Sequence, residues 1–218
     1  MASTQNQTPP SNRKYNVLYA DPPWSYRTRS AKGKGRNPEA YYSSHSVEQL
    51  CALPVGNWAA DDAVLLMWIT DPLLSRAFEV IAAWGFTYKT VGFCWVKTTG
   101  SDSDVKFFTG LGHWTRANPE ICLLGTKGRP RRLNRDVRRL VVAPRREHSV
   151  KPDDEVMPRI ERLLVGPYLA LFDSGVNEPR PGWDYRLGKD RAAQRRWGAG
   201  SYPGAAEPED EDEDEDEE

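Results

Sequence analysis

The chain has 218 residues, among them eight Trp, nine Tyr and six Phe, and a formal net charge of −1. That is length for one domain with its own core, and no apolar stretch approaches the roughly 20 residues that span a bilayer. The polar start "MASTQNQTPPSNRK" lacks the apolar segment of a secretory signal, and Cys51, Cys94 and Cys122, like His45, His113 and His148, form neither a disulfide framework nor a metal-ligand pattern. A soluble, cytoplasmic protein without a bound metal is expected.

The small net charge averages two unlike pieces. The last twelve residues, "EPEDEDEDEDEE", carry eleven of the 31 acidic residues and no basic one, which leaves 30 basic against 20 acidic residues elsewhere, a formal +10. A basic body points to a polyanionic partner, most simply nucleic acid. A block of like charges repels itself and is expected to be disordered. The organisation expected is a disordered N-terminus (1–14), one domain (15–190), a basic linker (191–206) and the acidic tail (207–218).

In chain order, "YNVLYA" reads as a first strand. Ser46 to Leu53 reads as a short helix, with Ser46 and Gln49 spaced as a capping box. "AVLLMWIT" is an apolar run of strand length. Asp71-Pro72 then supplies an N-cap and a first-turn proline to the helix "PLLSRAFEVIAAW", which stops at Gly85. "YKTVGFCWVK" and "EICLLGTK" are strands, and "KPDDEVMPRIERLLVG" is a helix that Pro158 must kink or whose start it must move. "PYLALFD" and "GWDYRL" complete the set. Strands alternating with helices imply a mainly parallel α/β sheet covered on both faces, with ligands at the carboxyl ends of its strands.

The first strand ends in "DPPW". Asp21 is an acceptor-only carboxylate, and Pro22 and Pro23 bring carbonyl acceptors on a stiff backbone without donors. Trp24 offers a face on which a base can stack. Two acceptors beside an aromatic plane suit a planar substrate with an exocyclic amine, one hydrogen held by Asp21 and the other by the Pro22 carbonyl. The adenine amine is a poor nucleophile because its lone pair is delocalised into the ring. Holding both hydrogens out of the ring plane frees that lone pair.

Nine basic residues and one acid lie between Lys127 and Arg146. Arg131, Arg132 and Arg135 in that run are candidate phosphate contacts. "YRTRSAKGKGR" follows "DPPW" directly, and its glycines suit a mobile lid, since the phosphate-cradling GxxxxGK[ST] spacing is absent. Tyr26, Arg27, Arg29, Lys32, Lys34 and Arg36 are candidates to close over a base that is flipped from a duplex or held in a single strand.

"DPPW" after an apolar strand resembles motif IV of S-adenosylmethionine-dependent amino-methyltransferases. With "LLMWIT", "WGF", "WVK", "RANPEICLLGTKG", "REHSVKPDDEVMPRIERLLVGPYLALF" and "RPGWDYRLG", the chain resembles the adenine-N6 methyltransferase family. That family includes the 70-kDa catalytic subunit that makes N6-methyladenosine in messenger RNA, and bacterial and phage relatives. The resemblance covers roughly Val17 to Asp190. It implies a class I methyltransferase fold, a Rossmann-like sheet of seven strands with one reversed and a permuted motif order. It also implies S-adenosylmethionine as cofactor and a nucleic-acid substrate, DNA slightly favoured over RNA, with a homodimer or paired relative as possible assembly. Asp21, Pro22, Pro23 and Trp24 take the catalytic roles, and Ala20 and Asp21 lie by the cofactor. Lys151, with Ser149 beside it, matches a family lysine near the active site, and Glu120 a residue shaping the adenine pocket. The cofactor loop departs from the family pattern: Phe172 keeps the family's Phe, but Asp173 and Ser174 follow it where relatives carry Ala-Arg, and the loop through Asn177 is longer. Lys189 and Asp190 replace the family's Asn-Glu or Asn-Gln, so the cofactor contacts implied are Phe172, Asp173, Ser174, Asn177, Lys189 and Asp190. That departure keeps open a second reading, a non-catalytic nucleic-acid-binding subunit.

Overall fold

The computed structural model describes residues 12–25, 44–99, 104–112, 114–146, 150–172 and 179–188. The expected linker and acidic tail, and most of the expected N-terminal segment, lie outside them.

Eight strands form one sheet: β1 (Tyr15–Ala20), β2 (Ala59–Ile69), β3 (Thr87–Thr99), β4 (Lys106–Phe107), β5 (Glu120–Lys127), β6 (Leu140–Pro144), β7 (Tyr168–Leu171) and β8 (Trp183–Arg186). Their order is β4-β3-β5-β2-β1-β7-β8, with β6 also on β3. β1 pairs in parallel with β2 and β7, β7 with β8, and β3 with β6. β5 runs antiparallel to β2 and β3. The Rossmann-like class I methyltransferase fold is therefore present, with β5 as its reversed strand and the two-residue β4, also antiparallel to β3, added to the expected seven. Neither β4 nor β6 is legible as a strand: β4 is two residues long, and β6 lies inside the basic run.

Both faces of the sheet are covered, which is why its central strands are apolar without alternation. In β2, Ala63, Leu65, Met67 and Ile69 join one core cluster, and Val64, Leu66 and Trp68 the other. α1 (Val47–Ala52) and α2 (Leu74–Ala83) cover the first face, and α3 (Asp153–Leu163) the second. In β1, Val17 and Tyr19 face α3 while Leu18 and Ala20 face α1 and α2. An irregularity between Tyr15 and Val17 lets Tyr15 join Leu18 on the same side.

The capping box forms, Ser46 Oγ accepting from the Gln49 N–H at 3.2 Å and Gln49 Oε1 from the Ser46 N–H at 2.8 Å. Asp71 does not cap α2. A 3-10 turn, Asp71–Leu73, leads into it, and no side chain caps Leu73. α3 begins at Asp153, just after Pro152, so its start is not moved to Pro158, which lies inside the helix. No helix among the described residues is long and apolar enough to cross a membrane.

Candidate active site

Consecutive strands move outward in opposite directions from the β1–β7 pair, β1 to β2 on one side and β7 to β8 on the other. That reversal is where open α/β sheets bind ligands, beyond the carboxyl ends of the strands. Asp21 follows β1 there, Phe172 follows β7, and the reversed β5 starts at the same edge with Glu120. A strand start and two strand ends thus bring residues far apart in sequence together.

At that edge four charged side chains form a chain of ion pairs. Lys151 Nζ lies 3.4 Å from Asp21 Oδ1 and is hydrogen-bonded to Glu120 Oε2. Lys97 Nζ holds the other oxygen of Glu120 at 2.6 Å. The side chains are 9% (Lys151), 16% (Asp21), 21% (Glu120) and 17% (Lys97) exposed, dry enough for desolvation to matter. Burial alone would raise the Glu120 carboxyl, but Lys151 and Lys97 outweigh it and hold the group at about 2. Burial likewise works against the Lys151 ammonium, and Asp21 and Glu120 reverse it, lifting Lys151 above the ordinary lysine range. With two cations against two carboxylates the cluster is close to neutral.

Aromatic residues hold the cluster in place. Lys151 Nζ sits 5.6 Å from the centroid of the Trp68 ring, and Lys97 Nζ 5.3 Å from that of Trp95. Trp68 Nε1 donates to Tyr19 Oη at 2.7 Å, and Tyr19 donates in turn to Asp153 Oδ1 at 2.6 Å. Burial first, then Asp153, pushes the Tyr19 phenol well up, so it stays a donor. Asn118 takes the Lys97 N–H at 2.8 Å and donates to the Lys97 and Phe108 carbonyls at 2.9 and 2.6 Å.

The "DPPW" segment is pinned at several points. The Asp21 N–H donates to the Leu171 carbonyl at 3.2 Å, and the Pro23 carbonyl accepts from the His45 N–H at 2.7 Å. The Pro22 carbonyl accepts from the Trp24 N–H at 2.9 Å, leaving its second lone pair for another donor. Trp24 corrects the expectation of an open stacking face. It is 7% exposed, packs in the core, and its Nε1 donates to the Trp68 carbonyl at 3.0 Å. Ala20 is fully buried and offers only backbone. Phe172 also turns inward: its ring stacks on Trp84 at 6.4 Å, and a φ of 62° makes it the residue that turns the chain out of β7.

Arg131, Arg132 and Arg135 lie away from that edge. They are exposed, but they follow the far end of β5, where the Arg129 N–H meets Asp62 and the Leu133 N–H meets the Leu163 carbonyl. The eight residues of β5 separate them from the Glu120 edge by about 25 Å. The reason is the reversal of β5, which carries the chain away from the site. Tyr26, Arg27, Arg29, Lys32, Lys34, Arg36, Ser149, Asp173, Ser174, Asn177, Lys189 and Asp190 lie outside the described residues.

Sequence reasoning missed Lys97, Asn118, Tyr19, Trp68 and Asp153. The signal was available for Lys97, whose place in "WVK" at a strand end pointed to this edge. The contacts of Tyr19 and Trp68 belong to the packing and have no local pattern.

The family model MT-A70 matches residues 15–187. The type II methyltransferase M.MunI of a Mycoplasma species is 34% identical over 190 residues, 79% of this chain and 76% of that protein. The N(6)-adenosine-methyltransferase MT-A70-like protein of Drosophila melanogaster is 31% identical over 172 residues, 78% of this chain and 26% of that one. The human N(6)-adenosine-methyltransferase catalytic subunit METTL3 is 30% identical over the same length, 27% of its own chain. The chain thus spans about a quarter of the length of those adenosine methyltransferases. Similar proteins from fish, mouse and three plants also carry the name N(6)-adenosine-methyltransferase. Adenosine is the ribonucleoside, and this overturns the slight preference for DNA. The match over nearly the whole body, the intact "DPPW" and the sheet with its reversed strand agree: the chain belongs to the MT-A70 family of S-adenosylmethionine-dependent adenine-N6 methyltransferases.

Proposed function

We propose that this chain methylates N6 of adenosine in RNA. The observation that supports it most directly is the Asp21 carboxylate beside Lys151 at the reversal of strand order, next to a Pro22 carbonyl with a lone pair to give.

The donor set suits the cofactor. The Asp21 carboxylate can face a ligand that carries cationic centres, and the ends of β1 and β7 lie side by side there, Phe172 turning the chain out of β7. Asp21 and the backbone of Ala20 and Phe172 would hold it. Bound S-adenosylmethionine supplies a methyl group on a sulfonium sulfur, which departs as a neutral thioether once the methyl is on nitrogen.

Asp21 accepts one hydrogen of the adenine amine and the Pro22 carbonyl the other. The pinned backbone fixes both acceptors before substrate arrives, so little reorganisation remains to be done during reaction. Lys151 fixes the Asp21 carboxylate, and Glu120, held by Lys97, fixes Lys151. The proton released from the amine passes to Asp21 or to solvent, and no covalent bond to the protein forms.

The test is transfer of labelled methyl to matched single-stranded RNA, single-stranded DNA and duplex DNA, with nucleosides identified by mass spectrometry. N6-methyladenosine from RNA with the wild type, and none with Asp21→Ala, is the expected result. No transfer to any polymer by a protein that binds the cofactor would refute the reading.

A further inference from the structure

Between β4 and β5 the chain makes a tight loop at the same edge as Asp21. Its tip is closed by the Gly110 N–H on the Ala117 carbonyl at 2.7 Å. Gly112 has a φ of 63°, and a Cβ there would stand 2.0 Å from the Thr115 carbonyl oxygen, so the turn admits only glycine. Trp114 also has a positive φ, 67°, a conformation that bulky residues rarely adopt. The result is a tryptophan 98% exposed to solvent, in a stretch of chain that also exposes Leu111 (70%) and Phe107 (67%). Burial does not account for this loop. Large aromatic surface held in water by a strained turn is a feature to be explained by what binds it.

Two facts identify the ligand. The loop is tied to the catalytic cluster, because Asn118 at its base bonds the Phe108 carbonyl and both backbone groups of Lys97, and Lys97 leads through Glu120 and Lys151 to Asp21. Its surroundings are cationic. Arg116 adjoins the tip, and Arg145 stacks 4.9 Å from the Phe108 centroid; neither has a carboxylate partner among the described residues. An exposed aromatic face on a loop that also carries or holds arginines is the arrangement that takes single-stranded nucleic acid, the bases stacking and the cations following the phosphates.

We propose that Trp114 is a stacking platform for a base next to the target adenine, with Arg116 and Arg145 on the adjoining phosphates. This rests on the RNA reading above and adds to it that the substrate is single-stranded at this point, since a paired base offers no free face. Trp114 then supplies the open aromatic plane that Trp24, buried in the core, does not.

The experiment measures binding of a labelled twelve-nucleotide single-stranded RNA with one central adenosine. Wild type, Trp114→Ala and Trp114→Phe are compared, with calorimetry of S-adenosylmethionine as a check that each variant is folded. Stacking of one base is worth about 5- to 140-fold in affinity. Trp114→Ala is expected to lose that much, Trp114→Phe to keep most of it, and the cofactor affinity to stay unchanged. An RNA with abasic nucleotides on both sides of the adenosine is expected to bind wild type as weakly as Trp114→Ala binds the intact RNA, with no further loss when the two are combined. Equal RNA affinity for Trp114→Ala and wild type overturns the proposal. So does a loss that persists undiminished on the abasic RNA, or a fall in sedimentation coefficient from dimer to monomer, which would make the loop a protein contact. Failure of the methylation reading looks different: no methyl transfer by wild type while the Trp114 dependence of binding stands.

Discussion

Lys151 lies between Asp21 and Glu120, 3.4 Å from the first and hydrogen-bonded to the second. Removing it takes one of two cations away from two carboxylates in a nearly dry place, with Lys97 still on Glu120. Breaking a buried pair by deleting one partner costs about 3–5 kcal/mol, more than the pair itself contributes. Lys151→Met is therefore expected to lose that much stability in urea unfolding, with methyl transfer abolished. In a cycle with Glu120→Gln the two losses should fall short of additive by more than about 0.5 kcal/mol. Additive losses would show that the two residues do not act as a unit.

Glu120 also sets an acid limit. Its carboxyl is held at about 2 in the folded protein against 4.5 ordinarily. A lowered carboxyl contributes fully above the ordinary value and loses its contribution as pH falls toward the folded one. Stability is expected to decline between about pH 4.5 and pH 2, by on the order of 3 kcal/mol from this group. Glu120→Gln should flatten that part of the curve of unfolding free energy against pH. An unchanged slope would remove Glu120 from the explanation.

Tyr19 joins Trp68 to Asp153. Tyr19→Phe keeps the ring but leaves the buried Trp68 N–H without its acceptor, at a cost of about 1–3 kcal/mol. Chemical denaturation reads this directly. A neutral substitution would mean that water enters at that point.

The arginines at the far end of β5 should be silent for short substrates. Replacing Arg131, Arg132 and Arg135 together by Ala is expected to leave binding of the twelve-nucleotide RNA and its salt slope unchanged. A fall of the slope by about 2, the value for three lost phosphate contacts on a single strand, would show that they reach the bound RNA after all.

Much of this was legible in local pattern. The apolar runs of β1, β2, β5 and β7 and the Ser46–Gln49 box need no distant partner to be recognised, and "DPPW" at a strand end marks an edge where ligands bind. What was not legible depends on where the chain goes next. Charge density in the run from Lys127 to Arg146 says nothing about which edge of the sheet it occupies; the direction of β5 decides that. Trp24 looked like a platform because composition does not distinguish a tryptophan that packs from one that projects. The side chain that projects, Trp114, sits in a stretch with no periodicity, and only its backbone conformation and exposure single it out.

The reversal of β5 also divides the molecule's freedom to change. Glu120, its first residue, is locked into the ion-pair chain, whereas the stretch 128–139 that follows its last residue, Lys127, supplies none of those groups. Exposed positions there, such as Arg131, Arg132 and Arg135, can change while the chemistry at the opposite rim stays as it is, even though Gly128 and the backbone bonds of Arg129 and Leu133 hold the segment against the body. A fold arranged in this way acquires new handles for guiding substrate without rebuilding its catalytic parts.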